Sequence, residues 1–65
     1  MRIDLNGAQC EIGTATLTEA LAELGYADAA LATALNGAFI PATARPSTLL
    51  RDGDRVEVLA PMQGG

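Results

Sequence analysis

Only one stretch of this chain carries both the period and the punctuation of a helix. Thr16-Leu17-Thr18-Glu19 has capping-box spacing: the threonine hydroxyl covers the N–H three residues on, and the glutamate reaches back. Leu17, Ala20, Leu21 and Leu24 then recur at i, i+3, i+4 and i+7, which builds one apolar helical face. Gly25 follows the last of them, as a left-handed C-cap requires. Glu19 complements the positive end of the helix dipole, whereas Glu23 lies on the polar side beyond it. A fold with a single short helix must find the rest of its core in strands.

The flanking segments supply them. Residues 1–6 alternate apolar and polar, Asn6-Gly7 offers the positive-φ pair of a two-residue hairpin turn, and Gln9-Cys10-Glu11-Ile12 resumes the alternation. Residues 27–34 are rich in alanine and by propensity alone would extend a helix. Asn36-Gly37 argues instead for a second hairpin, pairing a strand over residues 31–35 with a short one over 38–40 that Pro41 ends. Residues 42–50 read as a loop with a 3₁₀ turn near 47–50. Asp52-Gly53-Asp54 marks a tight turn, and Val56 and Val58 share one face of a last strand over 55–59.

The order β-β-α-β-β-β lacks the alternation that a doubly wound sheet needs. It predicts an α+β fold: a five-stranded mixed sheet with the helix laid across one face. Ile3, Leu5, Cys10, Ile12, Leu17, Leu21, Leu24, Val56 and Val58 form the expected core. With 65 residues there is room for one domain, expected over residues 1–60, followed by a tail over 61–65.

Composition excludes much. The chain has no histidine and one cysteine, so the common structural zinc sets and the Ser-His and Cys-His catalytic pairs are impossible. Asp52 and Asp54 flank a glycine but lack the further ligands of a calcium loop, so turn chemistry explains them. Cys10 alternates toward the core and reads as a structural thiol. Four arginines and no lysine against eight carboxylates give a net charge of −4. That balance lacks the basic footprint of a nucleic-acid binder and disfavours anionic membrane surfaces. No apolar run approaches the ~20 residues of a membrane span, and the cytoplasm is the expected compartment.

Chemistry is left to the end of the chain. Pro61 cannot donate to a ladder, and Gly64-Gly65 are the residues most costly to order, so the tail is expected to project from the last strand. Its five residues span at most about 17 Å and have no side chains at the tip, which suits a narrow channel in a partner. The group delivered is the Gly65 α-carboxylate, ionised at neutral pH. Adenylation would turn that poor electrophile into an acyl-adenylate open to a sulfur nucleophile. The absence of lysine leaves no ε-amine to capture an activated Gly65. Leu59 and Met62 beside the tail favour partner contact, while Phe39 fits either such a patch or a satellite of the core.

This order of elements resembles the ubiquitin-like β-grasp fold. The run Leu50-Arg51-Asp52-Gly53-Asp54-Arg55-Val56-Glu57-Val58-Leu59-Ala60-Pro61-Met62-Gln63-Gly64-Gly65 is similar to the C-terminus of the ThiS family of sulfur carriers of thiamine biosynthesis. Leu35-Asn36-Gly37 followed by Phe39-Ile40-Pro41 is similar to a hairpin of the same family, which is related to the small subunit of molybdopterin synthase. The resemblance implies a protein cosubstrate with no catalytic residues, metal or bound cofactor of its own. A ThiF-type adenylyltransferase would adenylate Gly65 with MgATP, and a persulfide donor fed by a cysteine desulfurase would convert it to a thiocarboxylate. A ThiG-type thiazole synthase would then take the sulfur. Pro61, Met62, Gln63 and Gly64 would thread the partners' active sites, with Leu59 and Phe39 as a contact patch. Two other readings stay open: sulfur delivery to molybdopterin, tRNA thiolation or cysteine synthesis, or a β-grasp binding module without tail chemistry.

Overall fold

The helix begins where its capping box places it. The computed structural model describes residues 1–26 and 30–59, and in it α1 runs over Leu17–Glu23 with Thr16 as N-cap. The Thr16 hydroxyl accepts from the Glu19 N–H at 3.2 Å, and the Glu19 carboxylate accepts from the Thr16 N–H at 3.2 Å. At the other end Tyr26 N–H reaches Leu21 O at 2.8 Å and Gly25 N–H reaches Ala22 O at 3.2 Å. That paired pattern, with Gly25 at φ +92°, is a Schellman cap. Leu17, Ala20 and Leu21 are buried on the face that the period predicted.

The strands are β1 Arg2–Leu5, β2 Ala8–Glu11, β3 Ala32–Leu35, β4 Ala38–Ile40 and β5 Arg55–Leu59. They form one mixed sheet in the order β2-β1-β5-β3-β4. Each hairpin turns through an Asn-Gly pair with both residues at positive φ (Asn6 +51°, Gly7 +88°; Asn36 +50°, Gly37 +85°), the type I′ geometry that the dipeptide favours. β5, last in sequence, lies at the centre, parallel to β1 and antiparallel to β3. This is the ubiquitin-like β-grasp arrangement. No helix among the described residues is long and apolar enough to cross a membrane.

One sheet face packs under α1. Ile3 and Val56 from the sheet and Leu17 from the helix are all but fully buried, joined by Ile12, Ala20, Leu21, Leu50 and Val58. Each large aliphatic contributes about 1.5–3 kcal/mol by leaving water. Leu5, Cys10 and Leu24, expected in this core, are only half-buried and pack against its margin, because Cys10 rides an edge strand and Leu24 is the helix C-cap. Leu50 and Thr33 are buried where no core position was expected.

The 3₁₀ segment also differs from expectation: it spans Ala42–Ser47, not residues 47–50. Residues 48–50 are drawn out of the helical region by the segment that precedes α1. Leu17 N–H donates to Thr48 O at 2.9 Å, Leu50 N–H donates to Ala15 O at 2.8 Å, and Thr16 bridges Leu49. The second strand pair begins at Ala32, one residue later than expected, and residues 27–29 of the alanine-rich stretch lie outside the described residues.

Candidate functional site

The proposed reactive tail continues from β5, so the site is built from whatever fixes the end of that strand. On one side β3 pairs with β5 along its length, from Leu35 opposite Val56 to Ala32 opposite Leu59. On the other side β1 stops early, its last matched pair being Leu5 with Val56. Asn6 carries the ladder further. Its backbone N–H donates to Val56 O at 3.0 Å, its Oδ1 accepts from Val58 N–H at 2.8 Å, and its Nδ2 donates to Val58 O at 3.1 Å. A side-chain amide thus stands in for a missing strand residue, two positions beyond the end of β1.

Asn36, in the other hairpin, holds the start of β5. It donates its backbone N–H to Arg55 O at 2.8 Å and accepts from Arg55 N–H through Oδ1 at 2.9 Å. Its Nδ2 donates to the Asp54 carboxylate at 3.0 Å, and that carboxylate also accepts from Arg51 N–H at 2.8 Å. Asp52 accepts from Arg2 N–H at 2.7 Å. Both acids of the Asp52-Gly53-Asp54 turn are therefore spent on hydrogen bonds: Asp54 closes the turn onto Arg51, as turn chemistry anticipated, while its bond to Asn36 and that of Asp52 to Arg2 reach across to the two hairpins and were not anticipated. Sequence reasoning treated Asn6 and Asn36 as turn formers only. Their second role would have required knowing that β5 lies between the hairpins.

The sheet face turned away from α1 is open. Side chains alternate along β5, so Val56 and Val58 point under the helix while Arg55, Glu57 and Leu59 point out. Leu59 is 73% exposed and Phe39 is 68% exposed, which places Phe39 outside the core. Both flank β3, where the outward residues are the small Ala32 and Ala34: Leu59 lies opposite Ala32, and Phe39 and Glu57 lie on either side of Ala34. The result is a shallow trough of about 140 Å³ lined by Ala32, Thr33, Ala34, Phe39, Glu57 and Leu59. Ile40, the neighbour of Phe39, turns inward and is half-buried against the core.

The floor beneath this trough is polar but satisfied. Thr33 is buried, donates its hydroxyl to Ile40 O at 2.8 Å and accepts from Arg45 Nε at 3.0 Å. Arg45 Nη2 donates in turn to Leu31 O at 2.7 Å, so one guanidinium ties the 3₁₀ helix to the entry of β3. The position of Thr33 follows from strand alternation with Leu35, but its partner Arg45 lies in the loop and left no period to read.

Among the described residues, the Glu19 carboxyl is held below the usual carboxylate range by the Thr16 backbone N–H and then by the Thr16 hydroxyl. That is capping chemistry, far from the end of β5. The described part of the site offers an open, largely apolar face edged by Glu57, and a central strand held by two asparagines. Pro61, Met62, Gln63, Gly64 and Gly65, like the boundary expected after residue 60, lie outside the described residues.

Solved structures share this fold. The ThiS crystal structure from Geobacter metallireducens, a thiamine biosynthesis protein, is 35% identical, with full coverage of both chains and a TM-score of 0.82. A solution structure of a thiamine biosynthesis protein from the same organism is 33% identical over all of this chain and 88% of that one, with a TM-score of 0.81. No curated protein gives a significant sequence match. The model of the ThiS family matches residues 3–65, which takes in the central strand and the whole of the Gly-Gly end, and the chain belongs to the ThiS family.

Proposed function

We propose that this chain is a sulfur carrier whose Gly65 carboxylate is activated and loaded with sulfur for thiazole assembly in thiamine biosynthesis. The observation that supports it is the family match running out to Gly65, on a chain whose central strand leads directly into that end. The solved relatives that it resembles along its full length are described as thiamine biosynthesis proteins.

The chemistry needs three encounters. A carboxylate oxygen of Gly65 attacks the α-phosphorus of ATP on a ThiF-type adenylyltransferase, and pyrophosphate leaves. A persulfide sulfur, supplied through a cysteine desulfurase, attacks the carbonyl carbon and AMP leaves, giving an acyl disulfide. A thiol then cleaves its S–S bond, which releases the Gly65 thiocarboxylate and a disulfide. A ThiG-type thiazole synthase accepts the sulfur, and the carboxylate returns for another round. The carrier's own contribution is mechanical: Asn6 and Asn36 hold β5, and Phe39 and Leu59 offer the partner an apolar seat beside the tail. Complementary charge on a partner facing this acidic chain would chiefly speed the encounter.

Incubation with a ThiF-type adenylyltransferase, MgATP and a persulfide donor should exchange one oxygen for one sulfur, localised by fragmentation to Gly65. Deleting Gly65 or appending a residue after it should abolish the exchange, and Cys10→Ala should not. Sulfur transfer from the loaded chain to thiazole synthase, and not to molybdopterin synthase, should complete the assignment. Modification of Cys10 in place of Gly65 would refute it.

A further inference from the structure

On the carrier reading, adenylation makes the Gly65 carbonyl carbon an electrophile, and any nucleophile of the chain within reach of the tail would compete with the partner. The chain has few. It contains no lysine, which leaves the Met1 α-amine and the Cys10 thiol as its strong candidates. The topology puts both at the wrong end of the sheet. β1 and β5 run parallel with Asp4 level with Arg55, so Met1 lies three residues before that level and Leu59 four residues beyond it. Seven strand residues separate them by about 23 Å along the sheet. Cys10 pairs with Ile3 on the far side of β1, about 19 Å from Leu59 when the two inter-strand spacings are included.

The tail from Leu59 to Gly65 spans at most about 20–22 Å, and only if it runs straight on. Folding back toward Met1 spends at least two residues on a reversal, leaving a reach of about 14 Å. The amine is also engaged, donating to Ile12 O at 2.8 Å beside the Glu11 carboxylate at 3.8 Å. Cys10 points to the helix side of an edge strand and is half-buried.

We propose that the chain is self-inert: the parallel pairing of its first and last strands, together with the absence of lysine, keeps every strong nucleophile of the chain out of reach of an activated Gly65. Such an activated end would be lost within the molecule only to water. The biological use of this property rests on the carrier reading above, but the property itself is open to test without any partner.

An α-thioester at Gly65, made by intein-mediated cleavage, supplies the electrophile chemically. At low micromolar concentration and mildly alkaline pH the wild-type chain should give only the hydrolysed acid. Ala32→Lys places an amine opposite Leu59 on the open face, with Glu57→Lys as a second exposed position in case the first disturbs the sheet. There the lysine nitrogen attacks the Gly65 carbonyl carbon, the C–S bond breaks, the thiolate leaves and the ammonium proton goes to solvent. The product is a cyclised chain one water lighter than the acid, formed at least about tenfold faster than any such species from wild type, given millimolar effective concentrations for short tethers. Cyclisation of the wild-type chain through Met1, or a thiolactone at Cys10, would overturn the proposal. So would failure of both folded lysine variants to cyclise, because reach would then not be what protects the carbonyl.

Discussion

Replacing Asn6 with glycine isolates the support that this side chain gives to the end of β5. Glycine retains the positive φ of the turn, so the backbone need not change. What disappears is the pair of side-chain hydrogen bonds to Val58, at 2.8 Å and 3.1 Å. At about 1 kcal/mol each, their loss costs about 2 kcal/mol, and the added freedom of glycine in the unfolded chain contributes about 0.5 kcal/mol more. For a domain whose whole stability is of order 3–10 kcal/mol, that is a large fraction.

Urea unfolding reads the sum: with a slope of about 1 kcal/mol/M for so small a chain, the midpoint should fall by roughly 2.5 M. Amide exchange reads the location. Val58 N–H has Asn6 Oδ1 as its acceptor, so it should lose protection by more than the global change, while Val56 N–H deeper in the ladder follows the global change alone. Asn6→Ala should be worse by about 1 kcal/mol, since alanine must also adopt the left-handed conformation. An unchanged midpoint with Val58 still protected would refute the idea that a side-chain amide completes this ladder.

Four further outcomes are expected. Thr16→Ala should cost about 1 kcal/mol through loss of the N-cap, read as a lower thermal or urea midpoint. Glu19 is held below its ordinary value of 4.5 in the folded chain, so its ionised form stabilises the fold above that pH. The contribution is lost as pH falls through the lowered folded value, and the urea-midpoint difference between wild type and Glu19→Gln should shrink along that acid limb. Phe39→Ser and Leu59→Ser should leave stability within about 0.5 kcal/mol, because both side chains are already exposed, yet raise the KM of the adenylating enzyme for the carrier. Deleting Gly65 should leave the urea midpoint unchanged while eliminating sulfur loading by mass spectrometry, since among the described residues the core, both asparagine clamps and the helix caps are made by residues up to Val58.

The parts of this fold that were legible in the sequence are those whose physics is local. The capping box, the Schellman glycine and the two Asn-Gly turns each lie within six residues, and each formed as read. The bond from Asn6 to Val58 joins positions 52 apart, and only the order of strands in the sheet brings them together. The 3₁₀ segment was misplaced for the same reason. Residues 48–50 are held extended by partners at positions 15–17, a pairing that no window around Pro46 reveals. At the candidate site, strand alternation established that Phe39 and Ile40 face opposite ways. Which of them faced out depended on the register with β3, where Ala34 opposite Phe39 and Thr33 opposite Ile40 decide it.

The topology that makes β5 central also sorts the chain's chemistry by position. In a sheet where the last strand ran antiparallel to the first, the Met1 amine would sit beside the start of the tail, within easy reach of an activated carbonyl. Parallel pairing instead puts Met1 and Leu59 at opposite ends of the sheet, and the hairpin from β1 takes Cys10 to the end where Met1 lies. The turn at Asn6-Gly7 ends β1 level with Val56, and this leaves at the end of β5 the gap that Asn6 fills. Strand direction thus separates the Met1 amine from the start of the tail, and the position of the first turn decides that a side-chain amide completes the ladder there.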